Sequence, residues 1–333
     1  MGFGALLLLA GVAQAQQWVP QVSNSTASLR GVSAVNEKIV WASGSAGTVL
    51  YTTDGGASWS ISKVPGAEGL DFRGIRAVDG KTVYVMSAGA GDKSQIYKTS
   101  DAGLHWTLQF TNPNPKGFFD SIAFWDVKHG IVLGDAVDGH AEVRSTTDGG
   151  AHWLQRQTPA ALPNEGSFAA SNTCLFLLNE DHVWFVTGGS GAARVFHSED
   201  GGEAWTIADT PIRNDSASAG IFSVAFRDAQ RGMIVGGDYA RDDEDRANIA
   251  VTSDGGKTWA ATISRPHGFR SAVAWLPDIH AWIATGTSGS DISTDDGRSW
   301  RSFDAGAYNA LSFLSVHAGW AVGPRGRIAR FRP

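Results

Sequence analysis

One eight-residue pattern, Ser/Thr-x-Asp-x-Gly-x-x-Trp, occurs six times in this chain. The first copy is Thr52-Thr53-Asp54-Gly55-Gly56-Ala57-Ser58-Trp59; the others run Thr99–Trp106, Thr146–Trp153, Ser198–Trp205, Thr252–Trp259 and Ser293–Trp300. The aspartates are Asp54, Asp101, Asp148, Asp200, Asp254 and Asp295, at steps of 47, 47, 52, 54 and 41 residues. Spacing in that range implies a repeat architecture. Short strand-like runs such as Thr48-Val49-Leu50-Tyr51 and Arg194-Val195-Phe196-His197 precede the copies, and another run begins at each Trp. The pattern therefore reads as a β-hairpin turn, in which Asp accepts backbone N–H groups and Gly supplies a positive φ. These six aspartates are assigned a structural role.

Two further strand-like runs lie upstream of each copy, for example Ser121-Ile122-Ala123-Phe124-Trp125 and Gly130-Ile131-Val132-Leu133-Gly134. Four strands per unit, with no helical periodicity, make one propeller blade. After the sixth copy come three more strand-like runs, around Ala310–Leu314, Gly319–Gly323 and Gly326–Phe331, and then the chain stops. Gln17-Trp18-Val19-Pro20-Gln21-Val22, near the N-terminus, reads as the missing fourth strand. The expectation is an all-β, seven-bladed propeller of four-stranded blades whose last blade is closed by the N-terminal strand, a velcro closure that removes exposed sheet edges. Six blades plus a capping extension is the alternative.

The rest of the composition narrows the function classes. The 333 residues carry a net charge of −6 with no basic stripe, which argues against nucleic-acid binding. The apolar run Phe3–Val12 is too short to span a bilayer and ends in Ala13-Gln14-Ala15. Residues 1–15 are therefore expected to be a signal peptide, cleaved near Ala15, with residues 16–333 forming a single propeller domain in the periplasm or outside the cell. No later segment suits a membrane span. Cys174, the one cysteine, sits in an apolar run and reads as a buried small hydrophobe. The motifs of nicotinamide, flavin, serine-hydrolase and zinc-protease chemistry are absent, so no cofactor and no metal are expected. The acidic run Asp242-Asp243-Glu244-Asp245 departs from calcium-loop spacing and reads as a solvated loop.

The repeated turn identifies the chain as resembling the Asp-box (BNR repeat) propellers. Within these, the seven-unit layout and phrases such as Ser28-Leu29-Arg30-Gly31-Val32 and Ala318-Gly319-Trp320-Ala321-Val322-Gly323 resemble the photosystem II stability/assembly factor-like family. That resemblance implies a binding or assembly scaffold, a protein or peptide partner, and an arginine-rich channel mouth that takes part in binding. Nothing in the sequence shows a photosynthetic source.

The six turns, as third-to-fourth-strand turns, share one face with plain polar turns such as Asp126–His129. The opposite face carries Gly-rich loops, including Gly134–His140 and Gly236–Tyr239, and the longest connections, Thr111–Asp120 and Thr158–Asn172. Function concentrates on such loops. Aligning the inner-strand starts places Arg30, Arg73, Asp120, Asn172, Phe222, Arg270 and Asn309 at the channel mouth. Arg30, Arg73 and Arg270, with Asn172 and Asn309, are the candidate binding residues, since arginine grips carboxylate or phosphate bidentately. A structural reading instead pairs the arginines with Asp120, Asp135 and Asp238. The enzyme alternative is a carbohydrate-active one, a glycoside hydrolase, sialidase-like enzyme or polysaccharide lyase, drawing on Asp120, Asp135, Glu165, Asp238, Tyr239 and Tyr308. Sialidase resemblance is weakened by the blade count and by Leu29-Arg30-Gly31-Val32 standing where an Arg-Ile-Pro phrase is expected. A monomer with a protein, peptide or glycan ligand at the mouth is expected.

Overall fold

The structure, a computed structural model, describes residues 16–179 and 181–333. Seven four-stranded antiparallel sheets form seven blades. Their inner strands are Leu29–Ala34, Phe72–Ala77, Phe119–Phe124, Leu175–Leu178, Ala219–Phe226, Ala272–Leu276 and Ala310–Ser315. The seventh sheet combines the last three strands with Gln17–Gln21, which pairs antiparallel to Ile328–Arg332. The expected closure by the N-terminal strand is thus observed, and the six-blade alternative fails. The expected signal peptide lies outside the described residues. Among the described residues, no helix is long and apolar enough to cross a membrane.

All six repeated turns fold alike and connect the third and fourth strands of blades 1 to 6. In the first, Gly56 N–H donates to Thr52 Oγ1 at 2.9 Å, Thr52 Oγ1 donates to Asp54 Oδ1 at 2.7 Å, and Ser58 N–H donates to the same carboxylate at 3.0 Å. In the sixth the distances are 2.9, 2.9 and 2.8 Å. These hydrogen bonds favour the ionised carboxylate, so Asp101, Asp148 and Asp254 are lowered to about 2, and the other three are also lowered.

The turns also join neighbouring blades. The second-strand aromatic of one blade reaches beneath the turn of the next. Tyr84 Oη donates to Gly149 O at 2.9 Å, and the Trp184 indole N–H donates to Gly255 O at 3.0 Å. At the closure, Gln21 Oε1 accepts the indoles of Trp59 and Trp320, both at 3.2 Å, while its amide donates to Gly55 O. One N-terminal side chain therefore ties blade 7 to blade 1. The apolar cores lie between blades: Tyr84, Met86 and Ile96 of blade 2 pack against Phe119, Ile122 and Phe124 of blade 3. Cys174 is fully buried, as the sequence implies.

Candidate functional site

The mouth begins with a backbone irregularity. In blades 1, 2, 3 and 5 the pairing of inner and second strands slips by one residue, at Leu29/Gly31, Phe72/Gly74, Phe119/Ser121 and Ile221/Ser223. The unpaired residues are Arg30, Arg73, Asp120 and Phe222. A β-bulge re-aims the side chain it carries. All four line a cavity of ≈ 500 Å³ on the long-loop face, with Phe118, Ser167, Phe168, Ala169, Tyr239, Phe269 and Asn309 among the other walls.

Long connections supply an aromatic cluster. Phe168 stacks on Phe222 with centroids 3.9 Å apart and planes 9° apart. Tyr239 stands edge-on to both, at 6.4 and 6.1 Å, and Phe269 meets Phe222 edge-on at 4.6 Å. Tyr239 remains 56% exposed, a large aromatic held open at the rim. Aromatic rings beside cationic groups suit an amphipathic ligand.

The charges are unevenly satisfied. Arg73 pairs with Asp71 at 2.8 Å and donates to Ala169 O. Arg30 makes no ion pair among the described residues. Its pKa is lowered, first by burial and then by Arg73. Asp120 is fully buried, and among the described residues neither carboxylate oxygen has a partner in full hydrogen-bond geometry. Burial, reinforced by Asp135, raises it well above the ordinary carboxylate range, against weaker opposing pulls from Arg73 and the Ala169 amide. Asp135 accepts the Ser167 N–H at 2.9 Å, and burial raises it to about 6.

Several sequence expectations need correction. Arg270 does not reach the mouth: its side chain is fully buried, paired with Asp291 and bonded to Phe269 O and Ser288. Its segment carries no bulge to turn it outward, and it bonds back onto its own blade. Asn172 adopts φ 63° and spends its amide on neighbouring inner strands, accepting Ile122 N–H at 2.8 Å and donating to Ile122 O and Ile75 O. Asn309 borders the cavity, but its amide donates to Leu29 O at 2.8 Å. The Ser171 hydroxyl donates to Ser271 O, from blade 4's approach to that of blade 6, at 2.7 Å. Polar cross-links thus divide the channel, with a second cavity of ≈ 360 Å³ on the opposite side, lined by Phe124, Phe176, Phe226, Trp275 and Phe313.

The carboxylates are likewise redistributed. No mouth arginine forms an ion pair with Asp120, Asp135 or Asp238 among the described residues. Glu165 is buried and clamped by Arg194, Thr187 and the Leu162 N–H. Asp238 is buried under Arg241 at 2.7 Å, and Tyr308 is buried against Trp18. Asp120, Asp135 and Tyr239 alone of the six enzyme candidates remain around the mouth. The acidic run is also tied down: Glu244 pairs with buried Arg213, and Asp242 accepts the Thr287 hydroxyl at 2.7 Å. Phe168 and Phe269 escape sequence analysis because nothing local marks which residue of a long connection folds inward.

No protein-family model and no curated protein matches the chain. Similar solved structures do exist. One is described as YCF48 bound to D1 peptide, at 16% identity over 97% of this chain and 99% of that one, with a TM-score of 0.69. YCF48 from Cyanidioschyzon merolae matches at 18% identity over 96% and 99%, with a TM-score of 0.68. The WD40 propeller domain of Doa1 matches at 13% identity over 95% and 97%, with a TM-score of 0.64. At these identities the likeness establishes the seven-bladed fold.

Proposed function

We propose that this chain is an Asp-box propeller acting as a binding scaffold for a protein or peptide partner, which it grips at the long-loop mouth. The observation that carries the proposal is the cavity where bulged Arg30 and Arg73 stand beside Phe168, Phe222, Phe269 and half-exposed Tyr239. Arg30, without an ion-pair partner among the described residues, is the group most ready to bind a ligand carboxylate. The aromatic cluster is placed to take an adjacent apolar side chain. The YCF48 structure with a D1 peptide lends support, because that protein of like fold holds a peptide. The carbohydrate-active alternative loses Glu165, Asp238 and Tyr308 to internal contacts.

Panning a random peptide display library on the purified chain tests the proposal. Enriched peptides are expected to bind Arg30→Ala/Arg73→Ala about tenfold or more weakly, as loss of charge-assisted hydrogen bonds implies. Binding should survive Arg231→Ala, at an exposed site on the opposite face. Equal binding by both variants would refute it. We also propose export to the periplasm or the exterior, for which the mature protein should begin at Gln16 on N-terminal sequencing.

A further inference from the structure

Blade 4 holds a second chemical feature, on the face of the repeated turns. His182 opens that blade's second strand, His182–Val186, and His197 is next to last in its third, Arg194–Ser198. The ladder pairs Trp184 with His197 and Val183 with Ser198, so His182 stands opposite Glu199 by register. Strand alternation then puts His182, Trp184, His197 and Glu199 on one side of the sheet. His182 Nδ1 and His197 Nε2 are 3.1 Å apart, and the ligand atoms of His182, His197 and Glu199 all lie within 4.8 Å of one another.

We infer that His182, His197 and Glu199 form a binding site for a divalent transition-metal ion of the Zn²⁺ class, with its fourth position open to water or to a partner's donor. The distances suit that ion. Two imidazole nitrogens on a tetrahedral Zn²⁺, each about 2.05 Å from it, stand about 3.3 Å apart. The histidine contact is therefore already near ligand spacing. Glu199 is exposed, so its carboxylate closes the remaining gap by rotation. Two imidazoles and one carboxylate favour Zn²⁺ over Mg²⁺ or Ca²⁺, which require mainly oxygen donors.

The support beneath the site is rigid. Trp184 stacks on His197 with centroids 4.3 Å and planes 5° apart, and on His182 at 5.3 Å. Its indole is anchored to Gly255 O in the next blade. His197 is buried and His182 half-buried, so little side-chain entropy remains to be lost on binding. Lys257, from the blade 5 turn, adds a positive charge near His197, and Glu199 counters it. The sequence carries only a faint trace of the site, in the alternation His182-x-Trp184 and His197-x-Glu199. Its meaning depends on the register between the two strands.

Calorimetric titration of the chelator-treated, dialysed chain with ZnCl₂ tests the inference, with CoCl₂ absorption as a probe of geometry. One equivalent of Zn²⁺ should bind, and Co²⁺ should show the strong visible bands of a four- or five-coordinate site. His182→Ala and Glu199→Gln, both away from the fully buried core, should each weaken Zn²⁺ binding about a hundredfold or more, since even supporting groups around metal sites contribute 10–100-fold. His105→Ala/His152→Ala removes the exposed His–Asp pairs of the repeated turns in blades 2 and 3 and should leave binding unchanged. The inference is overturned if wild type binds no Zn²⁺ or binds Mg²⁺ equally well. It is also overturned if binding survives His182→Ala and Glu199→Gln, or disappears in the His105/His152 variant.

Discussion

Asp120 and Asp135 at the mouth and the six turn aspartates shift in opposite directions, and the difference comes from solvation. The turn carboxylates are exposed and collect N–H and O–H donors, which hold them low. The mouth carboxylates, Asp120 buried and Asp135 half-buried, lose solvation and are short of donors, which pushes them up. A carboxyl raised in the folded chain contributes stability that is full below its unfolded value of about 3.9 and is lost as pH rises through its folded value. For Asp135 that loss runs from about pH 4 and is complete by about pH 6. The turn aspartates contribute stability above about pH 3.9, which is lost as pH falls toward their folded values. Stability should therefore peak near pH 4–5. Asp135→Asn keeps an acceptor for the Ser167 N–H and should stabilise the chain at pH 7.5 by about 1–2 kcal/mol after solvent screening, with little effect at pH 4.5. Urea unfolding at the two pH values measures this; equal effects at both would count against a raised Asp135. A second residue-scale effect sits in the turns, where the residue before the pattern's glycine has positive φ in every copy, including Ala102 at 60°. Ala102→Gly should stabilise by about 0.5–1 kcal/mol, the left-handed strain of alanine less glycine's entropy cost, read as a raised urea midpoint.

At the scale of elements, the bulges are what bring Arg30, Arg73, Asp120 and Phe222 into the wall of the mouth cavity. The repeated turns were readable from sequence because their chemistry is local: Ser/Thr, Asp and Gly at fixed offsets bond to one another. The mouth was readable only in part. Strand starts could be aligned, which located Arg30, Arg73, Asp120 and Phe222, but the direction in which each side chain leaves depends on a one-residue slip against the second strand. Arg270 has the same residue type at the aligned position and points inward, onto Asp291. Gly74 follows the slip in blade 2, and a Cβ there would stand 2.8 Å from Asn172 Oδ1 and 3.0 Å from Ile122 Cγ2. Gly74→Ala should cost about 1–3 kcal/mol through overpacking and should weaken mouth-directed peptides by displacing Arg73. If the variant binds selected peptides as wild type does, the bulge does not set the position of Arg73.

At the scale of the whole molecule, the ring closes through residues far apart in sequence. Trp18 packs against Phe303, Tyr308, Phe313 and Phe331, and its indole donates to Ser290 at 3.0 Å. The split seventh blade was legible because three strand-like runs at one end and one at the other add up to a unit. The division of the channel was not, since Ser171 and Ser271 lie 100 positions apart. Trp18→Ala should cost about 3–5 kcal/mol, and urea unfolding should show the loss. A negligible change would mean that the N-terminal strand does not hold the ring closed. A closed ring also leaves two distinct faces, and the proposed peptide site lies on the long-loop one. Photo-crosslinking measures this directly, with a benzophenone side chain placed at Tyr239 on the mouth rim or at Leu104, 78% exposed, on the opposite face. Selected peptides should crosslink from position 239 and not from position 104. Crosslinking from position 104 alone would contradict the account.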